Sequence, residues 1–205
     1  MNSVIIIEKV KYIREGMKIL INRFSQHSCE HTFTDIESFL NQTKPLNPDL
    51  LLLQLESNKT KLLSNLRLLK RKYPSLKVIL LTMNEENELL YDALSNGAVA
   101  YVHKNAPHQR IIKVLEDASQ KKVVINSVVA RKTEKFIREN KLDSFFKDNE
   151  INYLKKVTEG NNLPAIEQSM KVDIEEIKRS FWNVFERLFD FNNRDFVKGG
   201  NNLHN

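Results

Sequence analysis

Short apolar runs alternate with amphipathic stretches along the first 120 residues. "VIII" (4–7), "LLLLQL" (50–55), "KVILLTM" (77–83) and "AVAYVH" (98–103) show little polar alternation. Such runs read as strands buried on both faces of a parallel sheet. "SCEHTF" (28–33) supplies a fifth strand. Between them, 11–24, 34–42, 59–73, 85–97 and 107–120 carry apolar residues at helical spacing or helix boundary signals. Thr34 and Glu37 predict a capping box, Pro45 and Pro48 close that helix, and Pro74 stops the next. Gly97 is the expected C-terminal cap of 85–97, and Pro107 opens 107–120.

Five strands alternating with five helices predict right-handed crossovers and a doubly wound, five-stranded parallel sheet. Ligands of such sheets bind beyond the carboxyl ends of the strands. That singles out Glu8, Gln54, Thr82 and Lys104. Residues 121–141 read as a partly helical linker. Beyond them only helical patterns remain, at 146–160, 163–170 and 172–189. Asp173 and Glu176 predict a second capping box, and Ile177, Phe181, Val184 and Leu188 an apolar stripe. A short helix, a tight break and a longer helix suggest a helix-turn-helix unit over 142–199, before a disordered tail, 200–205.

The 205 residues suffice for one large domain or two small ones. No apolar run approaches the roughly 20 residues that span a bilayer, so no membrane association is expected. The opening lacks the form of a signal peptide, and the single cysteine, Cys29, permits no internal disulfide; the cytoplasm is the expected location. The formal net charge of +6 suggests an anionic partner. Residues 1–139 hold 22 Lys/Arg against 15 Asp/Glu, however, and 140–205 hold 10 against 11. His27, Cys29 and His31 alternate within one possible strand, but no fourth ligand has suitable spacing, and neither metal nor cofactor is expected.

These segments resemble a response regulator of the LuxR/FixJ (NarL) type. The opening strand followed by Arg14, Glu15 and Gly16 is similar to the start of its receiver domain. "PDLLLLQL" (48–55) resembles the strand that ends on the phosphate-accepting aspartate. Thr82 matches the switch threonine, and "ALSNGAVAYVHKNA" (93–106) supplies Tyr101 as the switch aromatic and Lys104 as the active-site lysine. The rear half resembles a LuxR-type helix-turn-helix at Glu150, Leu154, Gly160, Ile177 and Lys178. The resemblance implies a flavodoxin-like receiver over 1–120, an all-α DNA-binding domain, and a homodimer on a palindromic site.

A phosphorylatable receiver of this type needs an acidic pair for Mg²⁺, a nucleophilic aspartate, and a threonine and lysine for the phosphoryl oxygens. Here the acidic pair reads Glu8-Lys9 and the acceptor position reads Gln54. A neutral amide is a poor nucleophile and cannot form the acyl phosphate. The site therefore reads as degenerate. Gln54 is either a solvated strand end or part of a polar cluster in which Lys9 pairs with Glu8 and Gln54 accepts from Lys104. Glu56 is a remote alternative acceptor.

In the rear half, Lys178, Arg179, Trp182, Asn183 and Lys171 are the candidate DNA contacts, against a plain solvated helix face. Glu175 lies on the same face. Trp182 reads equally as a contact, a partner anchor or a packing residue. The scaffold segment Asn162–Glu167 departs from the family pattern, Ser180 replaces its histidine, and Lys155 and Lys156 are compensating cations. Three functions compete: a DNA-binding transcriptional regulator with a phosphorylation-independent receiver, a protein-interaction adaptor that has lost DNA, and a small flavodoxin-like enzyme. The third lacks a Gly-rich phosphate loop and a nucleophile–base pair.

Overall fold

The computed structural model describes residues 2–44 and 46–199. The expected tail, 200–205, and Pro45 lie outside the described residues. Five parallel strands, β1 (Val4–Ile7), β2 (Thr32–Phe33), β3 (Leu50–Gln54), β4 (Lys77–Thr82) and β5 (Ala98–His103), form one sheet in the order β2-β1-β3-β4-β5. Their apolar runs are buried as the lack of polar alternation requires; Leu50 through Leu53 and Val78 through Leu81 are almost wholly covered. The first half's helices are α1 (Lys11–Phe24), α2 (Ile36–Leu40), α3 (Lys59–Lys72), α4 (Leu89–Leu94) and α5 (His108–Ser119). The doubly wound parallel sheet followed by helices alone is the predicted fold class.

Several local expectations need correction. The second strand is two residues long, with Ser28 reaching Ser3 only through an isolated bridge. Asp35, not Thr34, caps α2: its carboxylate accepts from the Ser38 N–H at 2.7 Å and from the Thr34 hydroxyl at 2.7 Å. A carboxylate is the stronger acceptor for an N-terminal amide. Helix α4 begins late because Asn84 and Asn87 accept backbone N–H bonds two residues on, from Glu86 and Leu89, which holds 84–88 in turns.

The rear half contains α6 (Ser127–Glu139), α7 (Asp148–Thr158), α8 (Leu163–Met170) and α9 (Ile174–Gly199), with a 3-10 turn at Asp143–Phe145. Asn126 caps α6 through the Val129 N–H at 2.9 Å, and Asn162 caps α8 through the Ala165 N–H at 3.0 Å. At the start of α9, Asp173 accepts from Glu175 N–H, while Glu176 takes the Tyr153 hydroxyl at 3.2 Å; the expected box with Glu176 does not form. Lys171, in the α8–α9 turn, takes a left-handed φ of 53°.

Helix α9 continues past residue 189 because its distal half has a partner. Asn192 donates to the Ser95 carbonyl at 2.9 Å, and Phe191 meets Phe136 edge-on, with centroids 6.0 Å apart. Phe189 lies over Gly97, whose φ of +106° already disfavours a side chain. A Cβ there would stand 2.8 Å from Lys70 Cγ and 3.0 Å from Phe189 Cε2. Gly97→Ala should therefore destabilise the protein by about 1–3 kcal/mol, read from the midpoint of urea unfolding; an unchanged midpoint contradicts this close approach.

Candidate functional site: the carboxyl edge of the sheet and the face of α9

The carboxyl ends of β1, β3, β4 and β5 bring Glu8, Gln54, Thr82 and Lys104 to one edge. Glu8 is completely buried, and its Oε2 lies 2.6 Å from Nζ of Lys104, whose side chain is also buried. Its other oxygen, Oε1, accepts from Val10 N–H at 2.9 Å. Gln54 Oε1 accepts from the Lys9 backbone N–H at 3.1 Å. Arg14 donates to the carbonyls of Glu8 at 2.6 Å and Lys9 at 3.3 Å, fixing the turn after β1.

A polar cluster thus exists, but not with the predicted pairs. Lys9 does not pair with Glu8, and Gln54 does not accept from Lys104. Successive residues at a strand end point to opposite sides, so burying Glu8 leaves Lys9 exposed. Lys104 then meets the inward carboxylate and leaves the amide to the backbone. Glu56 pairs with Lys61 at 3.2 Å and accepts from Asn65 at 3.4 Å, on the α3 side of the edge.

Thr82 and Tyr101 are both buried and both engaged. The Thr82 hydroxyl donates to Asn84 O at 2.9 Å and accepts from Asn84 N–H at 3.0 Å. The Tyr101 hydroxyl accepts from Asn126 N–H at 2.9 Å, and burial pushes its phenol above the ordinary range. The Asn126 side chain donates to the Glu85 carbonyl. One residue of the 121–141 segment therefore joins the β4–α4 loop, the switch-position aromatic and the start of α6. Asn126 was not singled out from the sequence, although an asparagine before "SVVARK" is an N-cap signal.

The α9 face divides in two. Arg179, Asn183 and Lys171 are exposed. Lys178 and Trp182 are buried. Lys178 Nζ lies 3.1 Å from Asp117 Oδ2 on α5 and 2.9 Å from Glu175 Oε1. Glu175 also holds Lys122 at 2.7 Å, and these two ammonium groups bring its carboxyl down to about 2. The Lys178 carbonyl accepts from Val123 N–H at 3.2 Å. The face that carries the predicted groove contacts is thus partly docked against the α5 end of the first half. Asp117 carried no sequence signal for this role, since its i,i+4 pairing with Lys113 is what an ordinary helix surface shows.

The His27, Cys29 and His31 trio does not converge. His27 and Cys29 are buried and His31 is exposed; burial lowers the His27 pKa and raises the Cys29 thiol to about 11. Among the described residues no group of three or more His, Cys, Asp or Glu side chains is placed to hold a metal ion. None of the described helices is long and apolar enough to cross a membrane.

Comparison with known proteins agrees with this fold. Residues 4–116 match the model of the response regulator receiver domain. The transcriptional regulatory protein YdfI of Bacillus subtilis is 21% identical over 192 residues, 92% of this chain and 90% of its own. LnrK, another transcriptional regulatory protein of Bacillus subtilis, is 23% identical over 92% of this chain and 91% of its own. Among solved structures, RcsB dimers bound to two parallel DNAs match with a TM-score of 0.55 and 20% identity, covering 93% of this chain and 97% of that one.

Two outcomes follow from this geometry. Glu8→Gln leaves a buried ammonium unpaired and should cost about 3–5 kcal/mol in urea unfolding, with Lys104→Met in the same chain recovering most of it; an unaffected single variant means the pair is not buried as described. Beryllofluoride with Mg²⁺ should leave the amide resonances around Gln54 and Thr82 in place, and shifts there would overturn the chemistry assigned to this edge.

Proposed function

The chain belongs to the response regulator family, on its LuxR/NarL side by likeness to relatives that match both halves, and we propose that it is a DNA-binding transcriptional regulator whose receiver works without phosphorylation. The observation that carries this reading is the buried Glu8–Lys104 pair, 2.6 Å apart. It sets a carboxylate against the ammonium that would otherwise meet a phosphoryl oxygen. Gln54 offers no nucleophile, and with Lys9 in the acidic pair only the Glu8 carboxylate is left where a divalent cation would need oxygen ligands. Glu8, Lys9, Gln54, Thr82, Tyr101 and Lys104 together form the degenerate phosphorylation site.

The division of labour is a receiver unit over 1–120, a linker over 121–141 and a helix-turn-helix unit over 142–199. In the DNA-bound form α9 enters the major groove, with Lys178, Arg179 and Asn183 toward bases and phosphates and Lys171 toward the backbone. The relative RcsB is described as dimers on DNA, which supports a homodimer and a duplex target here. The docked arrangement is the resting form. Lys178 and Trp182 become available only when α9 leaves α5, so the Asp117–Lys178 pair opposes DNA binding. Control then lies in whatever shifts this equilibrium: protein abundance, a partner or a ligand. The burial of Lys178 and Trp182 and the net charge of −1 over 140–205 also favour a second reading, an adaptor whose helix-turn-helix meets a protein partner instead of DNA.

Mobility shifts with genomic fragments over a range of salt separate the two. The regulator reading expects salt-dependent binding. It expects Asp117→Asn to tighten that binding by about 5- to 20-fold, the size of an ordinary coupling between sites, and Lys178→Ala with Arg179→Ala to weaken it. Binding indifferent to both changes removes the groove assignment, and no binding by the Asp117→Asn protein favours the adaptor.

A further inference from the structure

Docking of α9 leaves a cleft of about 650 Å³, open to solvent on one side, at the opposite end of the sheet from the degenerate site. Its volume falls in the range of small-molecule sites. Its walls come from both halves of the chain. Leu94, Gly97 and Val99 stand on one side, and Trp182, Phe185 and Phe189 on the other.

The mouth carries charges of both signs. Asp49, Lys121, Glu186 and Asp190 line the cavity from exposed positions, and Lys121 lies 3.9 Å from Glu186. The half-buried charges are both lysines, Lys70 and Lys77. Lys70 donates to the carbonyls of Pro74 at 3.1 Å and Leu76 at 3.0 Å, and lies 6.0 Å from the centre of the Phe189 ring. Lys77 donates to the Ser119 carbonyl at 3.1 Å. An ammonium carries three protons, so each lysine has at least one left over after these bonds. Burial lowers the Lys70 pKa, a penalty that an anion beside it would relieve. Trp182 is 5% exposed, and its buried indole N–H has no hydrogen-bond partner among the described residues.

We propose that this cavity is a binding site for a small amphipathic anion, with its apolar body between Val99 and the Trp182–Phe185–Phe189 wall and its carboxylate or sulfonate toward Lys70 and Lys77. Aromatic side chains on one wall suit a flat or aliphatic body. Two partly desolvated ammonium groups suit a single negative head, which they bind more strongly than surface lysines would. Because each half supplies one wall, the ligand binds the docked form in preference to the open one and holds α9 away from DNA. The inference thus deepens the resting form proposed above and names the kind of molecule that controls it.

The chain's single tryptophan stands in the wall, so its fluorescence reports occupancy. The full chain would be titrated with 8-anilinonaphthalene-1-sulfonate, an apolar body with one anionic head, and the probe then displaced with laurate. The expected result is saturable quenching of Trp182 at one probe per chain, reversed by laurate. Lys77→Gln should weaken probe binding by about 10-fold, as should Val99→Phe, which fills the space. Asp117→Asn, which loosens docking from outside the cavity, should weaken it as well. Thermal unfolding of each variant checks folding, and Lys77→Gln alone decides the matter if Val99→Phe does not fold. Unsaturable quenching, several probes per chain, or an affinity unchanged in Lys77→Gln overturns the site. If Asp117→Asn tightens DNA binding while the wild-type chain takes up no probe, the site fails and the resting form stands. Saturable, Lys77-dependent binding with no DNA response to Asp117→Asn leaves the site standing and removes the resting form.

Discussion

A buried ion pair sets the character of this molecule. Glu8 and Lys104 sit at the ends of β1 and β5, strands separated in the sheet by β3 and β4. Their 2.6 Å contact therefore closes the carboxyl edge from one side of its centre to the other. Each charge alone would be costly in that setting, and together they are tolerable. The pair gives that edge a fixed charge pattern. Gln54 and Arg14 complete it by satisfying the backbone of the turn after β1.

The segment before α6 is tied to that edge through short contacts. Thr82 is tied to Asn84, the next residue, Glu85, accepts from the Asn126 side chain, and Tyr101 accepts from the Asn126 backbone. Farther along, Lys132 pairs with Glu88 at 2.8 Å and Phe136 meets Tyr91, so α6 lies along the α4 side. Helix α9 then docks on α5 through Lys178 and at the far end of the sheet through Phe189 and Asn192. The two halves are joined by many modest contacts, several of them polar. A junction of that kind can separate without unfolding either half.

The sheet was legible because strands buried on two faces leave an unmistakable apolar run. The helix-turn-helix was legible from Gly160, Pro164 and the stripe through Ile177 and Leu188. The departure from the receiver pattern was legible in the residues at Lys9 and Gln54. What escaped was pairing. Four polar residues meeting at a sheet edge allow several partner sets, and strand alternation at Glu8 and Lys9 selects one of them. The docking face escaped for a related reason: a lysine on an amphipathic helix looks the same whether it faces water, phosphate or Asp117. Helix α9 outran its predicted end because its distal contacts lie on the other half of the chain.

The most direct test of the account is a distance measurement between spin labels at Arg71, on α3, and Gln168, on α8. Double electron–electron resonance would compare the protein alone, with beryllofluoride and Mg²⁺, and with duplex DNA that it binds. One narrow distance distribution is expected, unchanged by beryllofluoride and shifted by DNA. A distribution that shifts with beryllofluoride would contradict this, because the switch would then answer to phosphate after all.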